Sequence, residues 1–270
     1  MRATVLVDNI AKGNLKGQWG LSFFIEYEGE RFLLDTGSGT LFSENAKKKG
    51  VSLEDADYGI LSHAHYDHAN GMAQFFRENS KAKFFLRDTC KENCFGRRFI
   101  FFKYIGTKKG TAKKYADRIE YVSGDKEVTK GVYLIPHKTE DLSAIGKKAG
   151  LLKLENGRMV PDDFDHEQSL VFETDKGLVI FNSCSHGGAD NIINEIKGTF
   201  PDKNIYALIG GFHLYKSSDE DVKALADRIE DTGIEKIVTG HCTGDKAFRL
   251  LKERLGDKAE QLYAGMVIEI

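Results

Sequence analysis

The alternation of apolar and polar positions sorts most of this chain into short strands and amphipathic helices. Ala3–Val7 predicts a strand, and Ser22–Tyr27 with Arg31–Asp35 predicts a hairpin turned by Glu28-Gly29-Glu30. Thr36-Gly37-Ser38-Gly39 breaks the pattern, and Leu41–Lys49 then reads as a helix stopped by Gly50. Tyr58–Ser62 predicts a short buried strand, and Ala69–Glu78 a helix with Met72, Phe75 and Phe76 at helical spacing. Further on, Gly131–Ile135, Ser169–Thr174, Leu178–Asn182, Ile205–Ile209, Lys236–Thr239 and Met266–Ile270 predict strands. Helices are expected over Asn191–Thr199, Asp219–Asp231 and Asp245–Leu255, the last closed by Gly256. About Lys91 to Lys114 the chain fits neither period. Hairpins mixed with strand–helix alternation predict an α/β fold, a four-layer αββα sandwich of two mixed sheets flanked by helices, rather than a Rossmann-type wrap.

With three prolines and no low-complexity linker, nothing divides the chain, and residues 1–270 are expected to form a single domain. The balance of 41% hydrophobic and 30% charged residues excludes a disordered or membrane-embedded class. A net charge of −2 gives no global basic field to recruit nucleic acid or anionic lipid. The opening Met-Arg-Ala-Thr-Val-Leu-Val-Asp lacks a long apolar stretch before a cleavage site, and no apolar run reaches spanning length. A cytoplasmic protein with no membrane partner is therefore expected. Cys90, Cys94, Cys184 and Cys242 are expected to be free thiols, the first two on or near a helix. The segment Arg97–Arg118 interleaves basic residues with Phe99, Phe101, Phe102 and Tyr104. Such a run suits a solvated helix face, or a lid that meets an anionic substrate or single-stranded nucleic acid.

The candidate chemistry is concentrated in Leu-Ser-His63-Ala-His65-Tyr-Asp67-His68-Ala-Asn-Gly-Met. Three imidazoles and a carboxylate this close cannot build a core, and they make sense around cations. The strand Tyr58–Ser62 delivers His63 and His65 on one side, because alternate side chains share a direction. Asp67 and His68 follow as a helix begins, so the motif splits into His63 and His65 for one ion and Asp67 and His68 for a neighbour.

The His-x-His-x-Asp-His order after a short strand resembles the signature of the metallo-β-lactamase superfamily. Leu33-Leu34-Asp35-Thr36-Gly37 resembles that family's Asp-Thr-Gly element, and Val238-Thr239-Gly240-His241 its last-histidine strand. The resemblance implies a dinuclear site and further ligands at strand ends. His166, in Asp165-His166-Glu167-Gln168-Ser169, stands where the family has its third histidine, although the wording differs from the usual Gly-His-Thr-x-Gly-Ser. Where most members have a bridging aspartate, this chain reads Asn182-Ser183-Cys184-Ser185-His186, so Cys184 or His186 takes that place. His241 completes the set. Cys-Ser-His, Gly-Gly-Phe-His213-Leu and Gly-His-Cys-Thr-Gly together are similar to one branch, the metal-dependent hydrolases related to the archaeal methanopterin-pathway dihydropterin ribofuranosylaminobenzene phosphate synthase.

That branch implies a metal-dependent hydrolase with a metal-bound hydroxide as nucleophile and a small, phosphorylated or pterin-like substrate. Two divalent ions are expected, zinc first, with manganese or iron(II) as alternatives. Asp67 would both ligate and orient the water, and His213 would protonate the leaving group or contact an oxyanion. Asp35 is expected to hold the ligand loop in place. A phosphodiesterase or nuclease of the same fold and a non-catalytic, metal-stabilised binding or sensor protein are the competing readings. A Gly-x-Ser-x-Gly elbow is absent.

Overall fold

The computed structural model describes residues 1–270. The first half runs β1 (Arg2–Val7), β2 (Ser22–Tyr27), β3 (Glu30–Leu34), α1 (Leu41–Lys48), β4 (Tyr58–Ile60), α2 (Tyr66–Ala69), α3 (Met72–Glu78), β5 (Lys83–Arg87), β6 (Cys94–Arg98), β7 (Phe101–Tyr104), α4 (Thr111–Lys114) and β8 (Ile119–Val122). Then come β9 (Lys126–Thr129), β10 (Val132–Pro136), α5 (Leu142–Ala149), β11 (Leu151–Glu155), β12 (Arg158–Pro161), β13 (Gln168–Thr174) and β14 (Gly177–Phe181). The chain closes with α6 (Ala189–Thr199), β15 (Ile205–Gly210), α7 (Asp219–Asp231), β16 (Lys236–Thr239), α8 (Asp245–Leu255), β17 (Ala259–Gln261) and β18 (Val267–Glu269).

Two seven-stranded sheets, ordered β18-β1-β2-β3-β4-β5-β8 and β17-β16-β15-β14-β13-β10-β9, face each other. Each is antiparallel in one half and parallel in the other, the change falling at β3 in the first sheet and at β14 in the second. Phe23 and Ile25 point between the sheets while Phe24 points to the outer helices, so β2 is buried on both faces. This is why its sequence is a nearly continuous apolar run. Between the sheets Phe172 meets Phe32 edge-on at 5.3 Å and Phe181 at 5.8 Å. Each such ring contributes roughly 1.5–3 kcal/mol by leaving water.

The outer layers are amphipathic helices. In α7, Val222, Leu225, Ala226 and Ile229 form the buried stripe, Ser218 Oγ accepts the Asp221 N–H at 3.1 Å, and three acids occupy the first turn. α1 and α3 cover the first sheet, and α6, α7 and α8 the second.

Three expectations need correction. The predicted helix over 69–78 is broken into α2 and α3 at Asn70-Gly71. There a Cβ on Gly71 would stand 2.4 Å from Thr36 O and 2.5 Å from Gly39 O, so the loop after β3 presses into the break. The segment Arg97–Arg118, expected as a helix face or lid, is mostly not helical: Cys94–Tyr104 forms the β6–β7 hairpin, and the only α-helix after it is the short α4; Cys94 opens β6 and Cys90 lies in the preceding turn. All four cysteines are free. That hairpin joins β11 and β12 in a third, four-stranded sheet, β12-β11-β6-β7, outside the two-sheet scheme.

Candidate metal centre

The side chains of interest sit at the carboxyl ends of strands in and beside the parallel halves, where loops cross from one layer to another and open α/β sheets leave a crevice. β3 ends in Asp35, β4 runs into His63 and His65, and β14 into Cys184 and His186. β15 leads to His213, and β16 to His241. Asp35, Ser185, His213 and His241 all have positive φ, between 48° and 58°. Such backbone is costly without glycine and persists where surrounding contacts hold it, as at functional sites.

The two glycines before Phe212 explain how these strand ends come together. A Cβ on Gly210, at φ 146°, would lie 1.9 Å from Asn182 O, and one on Gly211 would lie 2.5 Å from Cys242 Sγ. The close approach is thus between β14, β15 and the loop after β16. Gly210→Ala is expected to destabilise the fold by about 1–3 kcal/mol, the range for forced overpacking, as a lower denaturant midpoint in chemical unfolding.

Hydrogen bonds fix the orientation of four imidazoles. Asp35 accepts the Ser62 N–H at 2.7 Å, the Ser62 hydroxyl at 2.6 Å and His68 Nδ1 at 2.8 Å. Because Ser62 donates to Asp35, its oxygen accepts from His63 Nδ1 at 2.8 Å. His186 Nδ1 donates to the buried carboxylate of Glu167, and His241 Nδ1 to Asn9 Oδ1 at 3.1 Å. Each ring therefore carries a proton on Nδ1 and turns its Nε2 inward. The Nε2 atoms of His63, His65 and His186 are buried with no partner. His68 Nε2 and His241 Nε2 face each other at 3.3 Å, where two lone pairs would repel unless a proton or a metal ion lies between them. Without a metal, burial is outweighed by Cys242 and Asp67, which raise the His241 pKa to about 9, so that ring holds a proton there.

The spacing fits metal ions. Nitrogen ligands about 2.0 Å from a tetrahedral zinc stand about 3.3 Å apart. Cys184 Sγ lies 3.3 Å from His68 Nε2, and Asp67 Oδ2 lies 3.4 Å from His241 Nε2 and 3.7 Å from His68 Nε2. Ligand atoms of His63, His65 and His186 form a second group, all within 4.8 Å of one another. Burial and neighbouring histidines push the pKa values of His63 and His65 well below normal, so both keep the free lone pair that a metal needs. Asp67 stays ionised: burial opposes this, but His68 and His241 hold its carboxyl well below the usual carboxylate range.

The structure gathers His166 with His65, Cys94 and Asp162 in a separate buried cluster, their ligand atoms within 4.8 Å of one another, and not with His63 and His186 or with His68 and His241. The Nδ1 of His166 accepts the Ala64 N–H at 3.2 Å, which leaves the proton on Nε2, 3.1 Å from Asp162 Oδ2. His166 thus braces the turn between His63 and His65, while His186 occupies the place beside them. His213 stacks obliquely on His186 at 4.6 Å, with its Nδ1 buried and unpartnered. Five contributors escaped the sequence reading. Glu167 accepts from His186 and is paired at 2.9 Å with His137, whose other nitrogen faces Glu195 at 3.2 Å. Asp8 accepts the His241 N–H at 2.9 Å, and Cys242 Sγ lies 3.4 Å from Cys184 Sγ. Nothing in the sequence singled out Glu167, which stands in the polar run Asp162-Asp163-Phe164-Asp165-His166-Glu167-Gln168.

His65, Asp67, Cys184, His186 and His241 of the two groups line a cavity of about 360 Å³, with Trp19, Tyr66 and Tyr215 on its walls and His63 and His68 buried behind it. Arg97, Arg98, Lys103 and Lys216 also line it, so its field is positive apart from Asp67.

Two mixed sheets between helices, with the histidine–aspartate motif at their joint rim, define a class, and the comparisons agree: the chain belongs to the metallo-β-lactamase superfamily, a family of metal-dependent hydrolases. Residues 20–145 match the sequence model of that superfamily. Among individual proteins, the chain is 33% identical to the 7,8-dihydropterin-6-methyl-4-(beta-D-ribofuranosyl)-aminobenzene-5'-phosphate synthase of Methanocaldococcus jannaschii, over 93% of this chain and 90% of that protein. It superposes on the crystal structure of a metal-dependent hydrolase of the beta-lactamase superfamily with a TM-score of 0.86 and 30% identity, over 100% of this chain and 99% of the other. The metallo-beta-lactamase fold protein YhfI from Bacillus subtilis shares the fold, with a TM-score of 0.60 at 14% identity over 100% and 99% of the two chains. No helix is long and apolar enough to cross a membrane.

Proposed function

We propose that this protein is a dinuclear metal-dependent hydrolase acting in the cytoplasm on a small, anionic substrate of the phosphorylated or pterin-like class. The observation that carries the reading is the set of inward-facing Nε2 atoms, those of His63, His68, His186 and His241 each oriented by a hydrogen bond on Nδ1. His63, His65 and His186 would hold one divalent ion, and Asp67, His68, Cys184 and His241 the other. Bound there, the ions would acidify water and polarise the electrophile. Imidazole, carboxylate and one thiolate favour zinc over harder cations.

The chain's own residues supply the rest. Asp67 sits between the groups and orients the attacking water as well as ligating. His213 reaches the same cavity and is placed to protonate the leaving group. Arg97, Arg98, Lys103 and Lys216 match a phosphorylated substrate, and the aromatic walls match a planar ring. The M. jannaschii relative carries a dihydropterin and a phosphate in its name, which supports the same class.

The test combines metal analysis with assays. Protein loaded with zinc, manganese or iron(II) is expected to bind close to two ions per chain and to turn over at least one of a phosphodiester, phosphomonoester, lactone, thioester or β-lactam substrate. Two ions bound with no turnover on any of them would replace the hydrolase with a metal-stabilised binding protein. His213→Ala is expected to keep both ions and lose rate by about 10²–10⁴-fold, the contribution of a positioned general acid. Loss of an ion instead would make His213 a ligand.

A further inference from the structure

Four consecutive large apolar residues stand in water at the tip of the β6–β7 hairpin. Phe99 is 94% exposed, Ile100 80%, Phe101 70% and Phe102 50%. Contiguous apolar surface of this kind marks an interaction site. The turn itself is unusual. Arg98 pairs with Phe101 across the hairpin, leaving Phe99-Ile100 as a two-residue turn, and Phe99 has φ 54°. That position favours glycine, and a phenylalanine there is strained unless its side chain is wanted outside.

The tip is apolar on both faces. Cross-strand partners share a face and successive residues alternate, so Phe101 projects from one side and Phe102 from the other. A flat partner would cover one face and leave the second in water. A medium that surrounds the tip covers both. Behind the tip lies a cationic collar of exposed Arg97, Arg98 and Lys103. From Phe95 to Ala116 the chain holds seven lysines and arginines and no aspartate or glutamate. None of the seven forms an ion pair within the protein. A second copy meeting tip to tip would set these collars against each other. A nucleic acid would need the cations outermost, whereas here they stand behind the aromatic rings.

We propose that the Phe99–Phe102 tip docks the protein onto an anionic lipid surface, the rings entering the headgroup–acyl boundary while the collar meets lipid phosphates. Apolar side chains ahead of lysines and arginines are the anatomy of an interfacial anchor. The collar is shared with the cavity, so docking would set the mouth of the candidate site close to the lipid headgroups.

Co-sedimentation of the full chain with phosphatidylglycerol/phosphatidylcholine vesicles tests this, because it is independent of any catalytic reading. Three basic side chains at the surface predict on the order of 100-fold preference over pure phosphatidylcholine vesicles at low salt, largely lost at 0.5 M salt. The Phe99→Ser/Ile100→Ser variant touches no core contact and is expected to bind at least about tenfold more weakly. Absence of vesicle binding, equal binding to neutral vesicles, or unchanged binding by the variant overturns the proposal. So does a dimer in sedimentation velocity that the variant dissolves, which would give the tip to a second copy. Binding of single-stranded oligonucleotide in place of vesicles overturns it equally.

Discussion

Asp67→Ala is expected to abolish turnover and to lower the metal content from close to two ions per chain towards one. Asp67 is the only carboxylate among the inward-facing lone pairs, 3.4 Å from His241 Nε2 and 3.7 Å from His68 Nε2. Without it, the group of His68, His241 and Cys184 would meet a divalent ion with two imidazoles and one thiolate only. The loss of rate should far exceed the 10–100-fold that follows when an outer partner of a ligand is removed. Asp35→Asn provides that comparison: it weakens the holds on Ser62 and His68 and leaves every ligand in place. Metal analysis by mass spectrometry and rate on the substrate that the wild type cleaves would be read together, with circular dichroism as the control on folding. Full activity in Asp67→Ala, with both ions bound, would end the dinuclear reading.

The same geometry explains what the sequence could and could not tell. The His63-to-His68 stretch was legible because local spacing along a strand end and a helix start is itself the geometry. Period-2 and 3.6-residue patterns found α7, α8 and β16 because each buries a single stripe or lies between well-marked turns. β5, with Phe84 facing the helices and Phe85 the opposite sheet, shows no alternation to read. The β6–β7 hairpin escaped for the opposite reason, since its apolar residues face water and its turn lacks glycine or asparagine. His166 and His186 show the limit most clearly. Both stand at strand ends near the motif, and only the fold shows that the Ala64 N–H and Asp162 already engage His166 while His186 is left with a bare nitrogen.

Behind His186 lies a chain of charges that joins the candidate centre to the stability of the fold. Burial disfavours a charged His137, but Glu167 and Glu195 outweigh it and raise its pKa from 6.5 to about 9. A pKa higher in the folded state than in the unfolded means that folding is favoured while the proton is bound. The stabilisation is therefore complete below pH 6.5 and is lost as pH rises through about 9. A shift of this size corresponds to about 3 kcal/mol. Urea unfolding of metal-free protein is expected to show that loss between pH 6.5 and 9. His137→Gln should reduce it without abolishing it, because burial is outweighed at His241 too, where Cys242 and Asp67 raise the pKa to about 9, and that ring contributes over the same range. Glu167→Gln is expected to do more, because its carboxylate, held well below the usual range against burial by His186 and His137, anchors both rings. Breaking one side of a buried ion pair costs about 3–5 kcal/mol. His186 would also lose the acceptor that keeps its proton on Nδ1, and metal affinity should fall by about 10–100-fold. A Glu167→Gln protein that unfolds at the wild-type midpoint and binds metal equally well would show that the His186–Glu167–His137 chain governs neither property.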